Sequence, residues 1–383
     1  MAVGERVLAG RAFVNDRRNV AEKSGGHGVV SSHPRSIASS GRAGEPRAAL
    51  TGRPGSGQVT RANRGRRLNA TAPNFVVAVD PVEPPPALRR AVYAIGNFDG
   101  VHRGHQAVLG LAGALAAKAG VASAALTFEP HPADFFAGRP VVFRLTPFAQ
   151  KAAAIAQCGA GGVVSLSFDG ALASLSAEAF VEDVLVRQLD LSAVVVGADF
   201  HFGKGRSGSP EFLRRAGERF GFDVAFADKV EEGAEAISST AIRRALERGD
   251  VQLAAHMLGR RYRVGGPVIG GQKLGRTLGV PTANVALEPT NRLAFGVYAV
   301  QARLGERRLG GVASFGVRPT VDDGAPLLET FLFDFDEEIY GRTLEVDFVA
   351  YIRPELKFDG LEPLKRAMAD DIAAAREALR ATP

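Results

Sequence analysis

The sequence predicts an α/β fold: a doubly wound parallel domain, then an antiparallel β-barrel finished by a C-terminal helix. Between Ala91 and Ala227, short apolar runs alternate with helical segments, which argues for a parallel sheet covered on both faces. From Tyr262 onward the segments are short and strand-like, separated by Gly and charged turns, with no helix until the end. Between the two, Gly249–Gly259 reads as a short linking helix whose His256 is structural.

The chain has 383 residues, 46% of them hydrophobic, so two domains or more can each bury a core. No apolar run approaches the roughly 18 residues of a membrane span, so no membrane partner is expected. The lone cysteine, Cys158, rules out an intrachain disulfide and suits a reducing cytoplasm. The net charge of +6 is uneven. Residues 1–70 hold 13 of the 47 basic and 4 of the 41 acidic residues, leaving 34 and 37 for the rest. The basic excess therefore sits outside the folded part, which argues against a nucleic-acid partner. Residues 1–86, rich in Gly, Ser, Ala and Arg without apolar periodicity, read as a disordered basic extension. Three roles stay open for it: a targeting segment, non-specific anion binding, or an upstream extension from a misplaced start.

In order, strands are expected at Ala91–Ile95, Ala122–Phe128, Gly162–Phe168, Ala193–Val196 and Asp223–Ala227. Helices are expected near Gly104–Ala119, Pro147–Gln157 and Ser176–Leu189, with a loop at Glu129–Phe136. Ser176 and Ser209 are expected N-caps, with Pro210 at the first helical position. Barrel strands are expected at Arg263–Ile269, Gly296–Leu304, Gly311–Phe315, Thr330–Phe335 and Thr343–Ile352. The final helix should pack through Leu361, Leu364, Met368 and Ile372, spaced by three and four.

One stretch organises the first domain: Ala94-Ile-Gly-Asn-Phe-Asp-Gly-Val-His-Arg-Gly-His105. A buried strand breaks at Gly96, and H-x-G-H opens a helix. His102 and His105 face the same way, and Gly104 between them has no Cβ, so a ligand can approach closely. A helix N-terminus adds free N–H groups and partial positive charge. Gly96, Asn97, Phe98 and Gly104 complete this phosphate cradle. A solvated cap is the bland alternative; a zinc site lacks a third Cys or His at sensible spacing. The pattern resembles the H-x-G-H signature of Rossmann-like nucleotidyltransferases, in which the imidazoles hold nucleotide phosphates and stabilise charge as pyrophosphate leaves.

After the fourth strand comes Gly197-Ala-Asp-Phe-His-Phe-Gly-Lys-Gly-Arg-Ser-Gly208. Gly203–Gly208 matches G-x-G-x-x-G with Asp228 further on, so a dinucleotide-binding oxidoreductase is a competitor. Its first Gly, however, should follow the strand directly. In Ile237-Ser-Ser-Thr-Ala-Ile-Arg-Arg244, hydroxyls open a helix and Arg243 lies one turn inside, a set able to grip phosphate. Plain capping explains it equally. Gly270-Gly-Gln-Lys-Leu-Gly-Arg-Thr-Leu-Gly-Val-Pro-Thr-Ala-Asn284 could wrap phosphates through Lys273 and Gly275, with Thr282 and Asn284 as oxygen ligands for Mg²⁺. A flexible hairpin is the alternative.

Together these elements resemble the bacterial bifunctional riboflavin kinase/FAD synthetase family. The resemblance runs from Ala91 to Arg376. It implies FMN adenylylation at residues 87–248, a linker at 249–261, and riboflavin phosphorylation at 262–383. It carries over Asp199 and Arg206 as pocket residues, Ser239, Thr240 and Arg243 as the closing phosphate motif, and Glu329 as general base. ATP is implied as co-substrate with Mg²⁺, riboflavin and FMN as the other substrates, and no tightly bound prosthetic group. A weak homo-oligomer is compatible with it. Phe331, Ser314 and Val317 depart from the family pattern and put some kinase contacts in question. The remaining rivals are a nucleotidyltransferase of other specificity, the oxidoreductase, and a non-enzymatic binder working through the basic extension.

Overall fold

The computed structural model describes residues 74–232, 235–270, 280–317 and 326–382; Lys273 and Gly275 lie outside them, as do residues 1–73 of the extension. A parallel sheet of six strands has the order β1-β4-β3-β2-β5-β6. Its strands are β1 (Val76–Val79), β2 (Val92–Ile95), β3 (Ser123–Glu129), β4 (Gly162–Ser167), β5 (Ala193–Gly197) and β6 (Asp223–Ala227). The helices are α1 (Arg103–Ala119), α2 (Pro132–Ala137), α3 (Phe148–Gln157), α4 (Gly170–Ser174), α5 (Ala177–Ala179, continuing as a π-helix over Phe180–Gln188), α6 (Pro210–Phe220), α7 (Ser239–Glu247) and α8 (Val251–Leu258). Strand β2 is apolar throughout because both faces are covered. Val92 and Ala94 pack with Val108, Leu109 and Ile155. Tyr93 and Ile95 pack on the other side with Leu185, Val194 and Leu213. Ser176 and Ser209 cap their helices as expected, accepting from Ala179 N and Phe212 N at 3.1 Å each.

Strand β1 corrects the expected boundary of the extension at residue 86. Val76–Val79 pairs parallel with β4, and Asp80 accepts from Ser167 N at 2.7 Å and Ser167 Oγ at 2.6 Å. The signal was weak because an edge strand of four residues needs only one covered face. Deleting residues 1–80 is therefore expected to lower the Tm by about 2–8 °C in calorimetry, at a cost of one to two kcal/mol.

A short hairpin, β7 (Glu231–Glu232) and β8 (Glu235–Ala236), precedes α7. The C-terminal sheet is antiparallel, in the order β10-β13-β12-β11-β14-β9. It comprises β9 (Arg263–Pro267), β10 (Thr282–Ala286), β11 (Gly296–Leu304), β12 (Arg307–Val317), β13 (Pro326–Leu332) and β14 (Thr343–Arg353). Ile269 N donates to Asn284 O at 2.9 Å, bridging the outer strands and nearly closing a barrel. Residues expected in a loop, Thr282–Ala286, form one of its strands. The C-terminal helix, α9 (Leu361–Ala381), packs through Ile372, Ala375 and Leu379. Leu361, expected on that face, is 57% exposed, because the helix starts beyond the barrel wall.

The linking segment is no flexible tether. Ile242 and Leu246 of α7 and Leu258 of α8 share one buried core with Tyr262, Tyr298 and Phe348 of the barrel. Polar contacts cross the same seam. Arg260 Nη2 donates to Gly100 O at 2.7 Å, and Gln106 Nε2 donates to Leu258 O at 2.8 Å. His256 Nε2 meets Arg103 Nη1 at 3.0 Å.

Candidate active sites

The strand order reverses between β2 and β5, the switch point where ligands bind at the carboxyl ends of a doubly wound sheet. H-x-G-H leaves β2 there, and the Gly197–Gly208 loop leaves β5 beside it. The turn out of β2 is strained: Phe98, Gly100 and Val101 have φ of 48°, 87° and 41°. A left-handed β-branched residue is an outlier that its surroundings must enforce. Phe98 and Val101 are each 1% exposed. Buried Asp99 accepts from Leu145 N at 3.0 Å and Thr146 N at 3.1 Å and pairs with Arg243, while Ser239 Oγ donates to Asp99 O at 2.8 Å.

His102 is the N-cap of α1, its Nδ1 accepting from His105 N at 3.3 Å. That leaves its proton on Nε2. The two rings stack with centroids 3.6 Å apart, and Phe98 meets His105 edge-on at 5.2 Å. A Cβ on Gly104 would lie 3.1 Å from the His102 ring. The space this glycine leaves is thus taken by the imidazole itself rather than by a ligand. Burial lowers the His102 pKa to about 4, against the opposing charge of Asp99. Burial first, then His102, Lys151 and Arg260, hold His105 well below the ordinary value. Both rings are neutral at pH 7, and His105 Nδ1 is buried without a hydrogen-bond partner.

A histidine depressed in the folded state takes its proton in the unfolded state first. Its contribution is present above pH 6.5 and is lost as pH falls toward 4. Asn caps a helix without titrating. His102→Asn is therefore expected to make the fall in Tm between pH 6.5 and 4 shallower than in the parent, by scanning calorimetry.

Ser239 and Arg243 reach the same turn, with Ser238 as the N-cap of α7. Ser239 and Arg243 also make contacts within the protein here. Arg243 gives Nε to Phe143 O at 2.7 Å and a second N–H to Asp99, so the edge suited to a bidentate phosphate contact is already used. Ser239 is spent on Asp99 O, and Thr240 is exposed. Asp199 and Arg206 are exposed, Asp199 Oδ2 lying 3.2 Å from Lys229 Nζ. Their loop is pinned by paired bonds between Phe202 and Gly208. Lys204–Arg206 forms a separate 3-10 turn before α6 begins, so its glycines do not open a helix directly from a strand, as a dinucleotide fingerprint requires.

A second group escaped the motif search. Lys151 of α3, 2% exposed, lies 2.7 Å from Glu129 Oε1 and 3.3 Å from Thr127 Oγ1. Arg144 reaches Glu129 Oε2 at 2.6 Å, and Thr127 Oγ1 donates to Asn97 O at 3.1 Å. The available signal was one lysine among the alanines of α3; Asp99 carried no signal beyond its place inside the motif.

The barrel holds a cavity of about 530 Å³, lined by Thr282, Ser314, Glu329, Phe331 and Glu355 and roofed by Met368 of α9. Register brings Asn284, Glu329 and Ser314 into line across β10, β13 and β12. Asn284 is 4% exposed, and its Oδ1 is buried without a partner. Glu355 folds over Gly316, where a Cβ would meet its Oε1 at 2.1 Å. Burial, then the charge of Glu329, pushes the Glu355 pKa up. Of the departing residues, Ser314 and Phe331 line this cavity, and Val317 ends β12. Among the described residues no group of three His, Cys, Asp or Glu could hold a metal ion, and no helix is long and apolar enough to cross a membrane.

A parallel sheet presenting stacked H-x-G-H imidazoles at its switch point, joined to a barrel with a carboxylate-lined cavity, defines a two-module nucleotide-dependent transferase. Residues 85–241 match the FAD synthetase family and residues 258–379 the riboflavin kinase family. The bifunctional riboflavin kinase/FMN adenylyltransferase of Pseudomonas fluorescens is 45% identical over 76% of this chain and 94% of its own. That of Escherichia coli K12 is 42% identical over 75% and 92%. A crystal structure from Streptococcus pneumoniae, reported as a macrolide-efflux protein, shares the fold at a TM-score of 0.71 and 29% identity, covering 79% of this chain and 99% of that one. The chain belongs to the bifunctional riboflavin kinase/FMN adenylyltransferase family.

Proposed function

We propose that this chain makes FAD in two ATP-dependent steps, with the H-x-G-H cleft and the barrel cavity as separate sites. In the barrel, Glu329 takes the proton of the riboflavin 5′-hydroxyl as that oxygen attacks the γ-phosphorus of ATP, giving FMN and ADP. Thr282 and Asn284 fit Mg²⁺: both offer neutral oxygen, and the unpartnered Asn284 Oδ1 is a hard donor awaiting a cation. The bound ion would neutralise phosphate charge. In the cleft, an FMN phosphate oxygen attacks the α-phosphorus of ATP in line, and the bond to pyrophosphate breaks. No enzyme atom becomes covalently attached. His102 and His105 donate N–H to the phosphates, and the free N–H groups of α1 add partial positive charge. The Arg243–Asp99 pair acts through the turn, holding the imidazoles in place.

The observation that carries this reading is the pair of stacked, neutral imidazoles at the switch point, with the unpartnered Asn284 oxygen supporting the kinase half. Free Cys158 and the absence of a basic excess in the folded part suit a cytoplasmic enzyme acting on small molecules rather than nucleic acid. Incubation with riboflavin, ATP and Mg²⁺, followed by chromatography of the flavins, should show FMN and then FAD. Folded protein that leaves riboflavin and FMN both unchanged would overturn the proposal. Both activities should survive deletion of residues 1–73, which separates this reading from one in which the extension does the binding.

A further inference from the structure

A third concave space, of about 710 Å³, lies between α3 and the outer wall of the barrel. It shares no lining residue with the Glu329 cavity. Arg260, Arg263, Arg303 and Arg308 line it, against the carboxylates of Glu345 and Asp347. Arg263 claims both acids: Nε lies 2.6 Å from Asp347 Oδ1, Nη2 2.8 Å from Oδ2, and Nη1 3.1 Å from Glu345 Oε2. Arg303 is left 3.5 Å from Asp347, and its buried Nε has no hydrogen-bond partner. Arg308 has no carboxylate within 4 Å among the described residues and stands directly across from Arg303 in the β11–β12 register. Like charges facing each other across two strands repel and destabilise the sheet. Arg260 gives its N–H groups only to the carbonyls of Gly100, Val101 and Leu258.

We propose that this cleft binds a compact phosphate-bearing anion between Arg303, Arg308 and Arg260. The carboxylates cannot satisfy the arginines that line it, and the paired Arg303 and Arg308 gain a shared counter-charge once an anion sits between them. Walls on both sides suit a di- or triphosphate rather than a flat polymer surface. Oxygens of such a group match the planar N–H fork of arginine.

Isothermal titration of the full-length protein with inorganic tripolyphosphate at fixed ionic strength tests this. Four proteins are compared with the parent: Arg308→Glu, Arg303→Gln, Arg307→Glu and His105→Ala. Arg307 neighbours Arg308 but points to the opposite face of the strand and pairs with Glu337, so it controls for general charge. One binding event should persist in His105→Ala and Arg307→Glu and weaken at least tenfold in both Arg308→Glu and Arg303→Gln. ADP in place of tripolyphosphate separates the sources: equal or tighter binding points to nucleotide phosphates, weaker binding to inorganic ones. Isotherms of Arg308→Glu and Arg303→Gln that coincide with the parent, or an equal loss in Arg307→Glu, would overturn the proposal.

Discussion

Glu329→Gln is expected to slow riboflavin phosphorylation by about 100- to 10,000-fold, the range for removing a general base, while FMN adenylylation proceeds at the parental rate. Gln keeps the shape and the strand register opposite Asn284 and Ser314, so barrel and cavity should survive. What it loses is the capacity to take a proton. Glu355, close enough for its pKa to feel the charge of Glu329, sits over Gly316 on a neighbouring wall. Its raised pKa makes it a poorer resident anion, which agrees with the proposal of Glu329 as the base. Steady-state rates with riboflavin and with FMN as alternative substrates give the answer. If both reactions fall together in folded protein, the two sites are not separate.

The mirror experiment is His105→Ala. FAD formation from FMN should drop by about 100- to 1,000-fold, as when one preorganised donor to a charged transition state is removed, with riboflavin phosphorylation intact. In the proposed reaction His105 is to donate from between the rings of His102 and Phe98, where a hydrogen bond to developing charge is stronger than at a surface. His105→Asn restores a donor and should recover part of the loss, which a purely structural role would not predict. Equal rates for His105→Ala and the parent would remove the imidazole from the chemistry.

Much of this architecture was legible in the chain. The alternation from Ala91 to Ala227 made a parallel sheet, and H-x-G-H and I-S-S-T landed where expected, at a strand end and at helix starts, whereas P-T-A-N, read as part of a loop, opens a strand. What stayed hidden depended on partners far away in sequence. That Arg243 also binds Asp99 and Phe143 O is visible only in the fold. Asp99 itself reads as a turn residue, although Leu145, Thr146 and Ser239 converge on it. Lys151 sits in an alanine-rich helix, and only the fold brings Glu129 to it. Strand β1 lacked a signal because four edge residues with one covered face do not rise above a basic, glycine-rich background.

The bonds from Arg260 to the carbonyls of Gly100 and Val101 bear on how this polypeptide could be divided. A gene trimmed to stop at Arg248 would still encode the whole parallel sheet and every H-x-G-H residue. Its product would nonetheless lack the brace behind a left-handed Val101, and the apolar backs of α7 and Phe143 would be stripped of cover. The adenylylating half borrows rigidity from sequence that lies downstream of it, so fusion of the two halves serves as scaffolding as well as co-localisation.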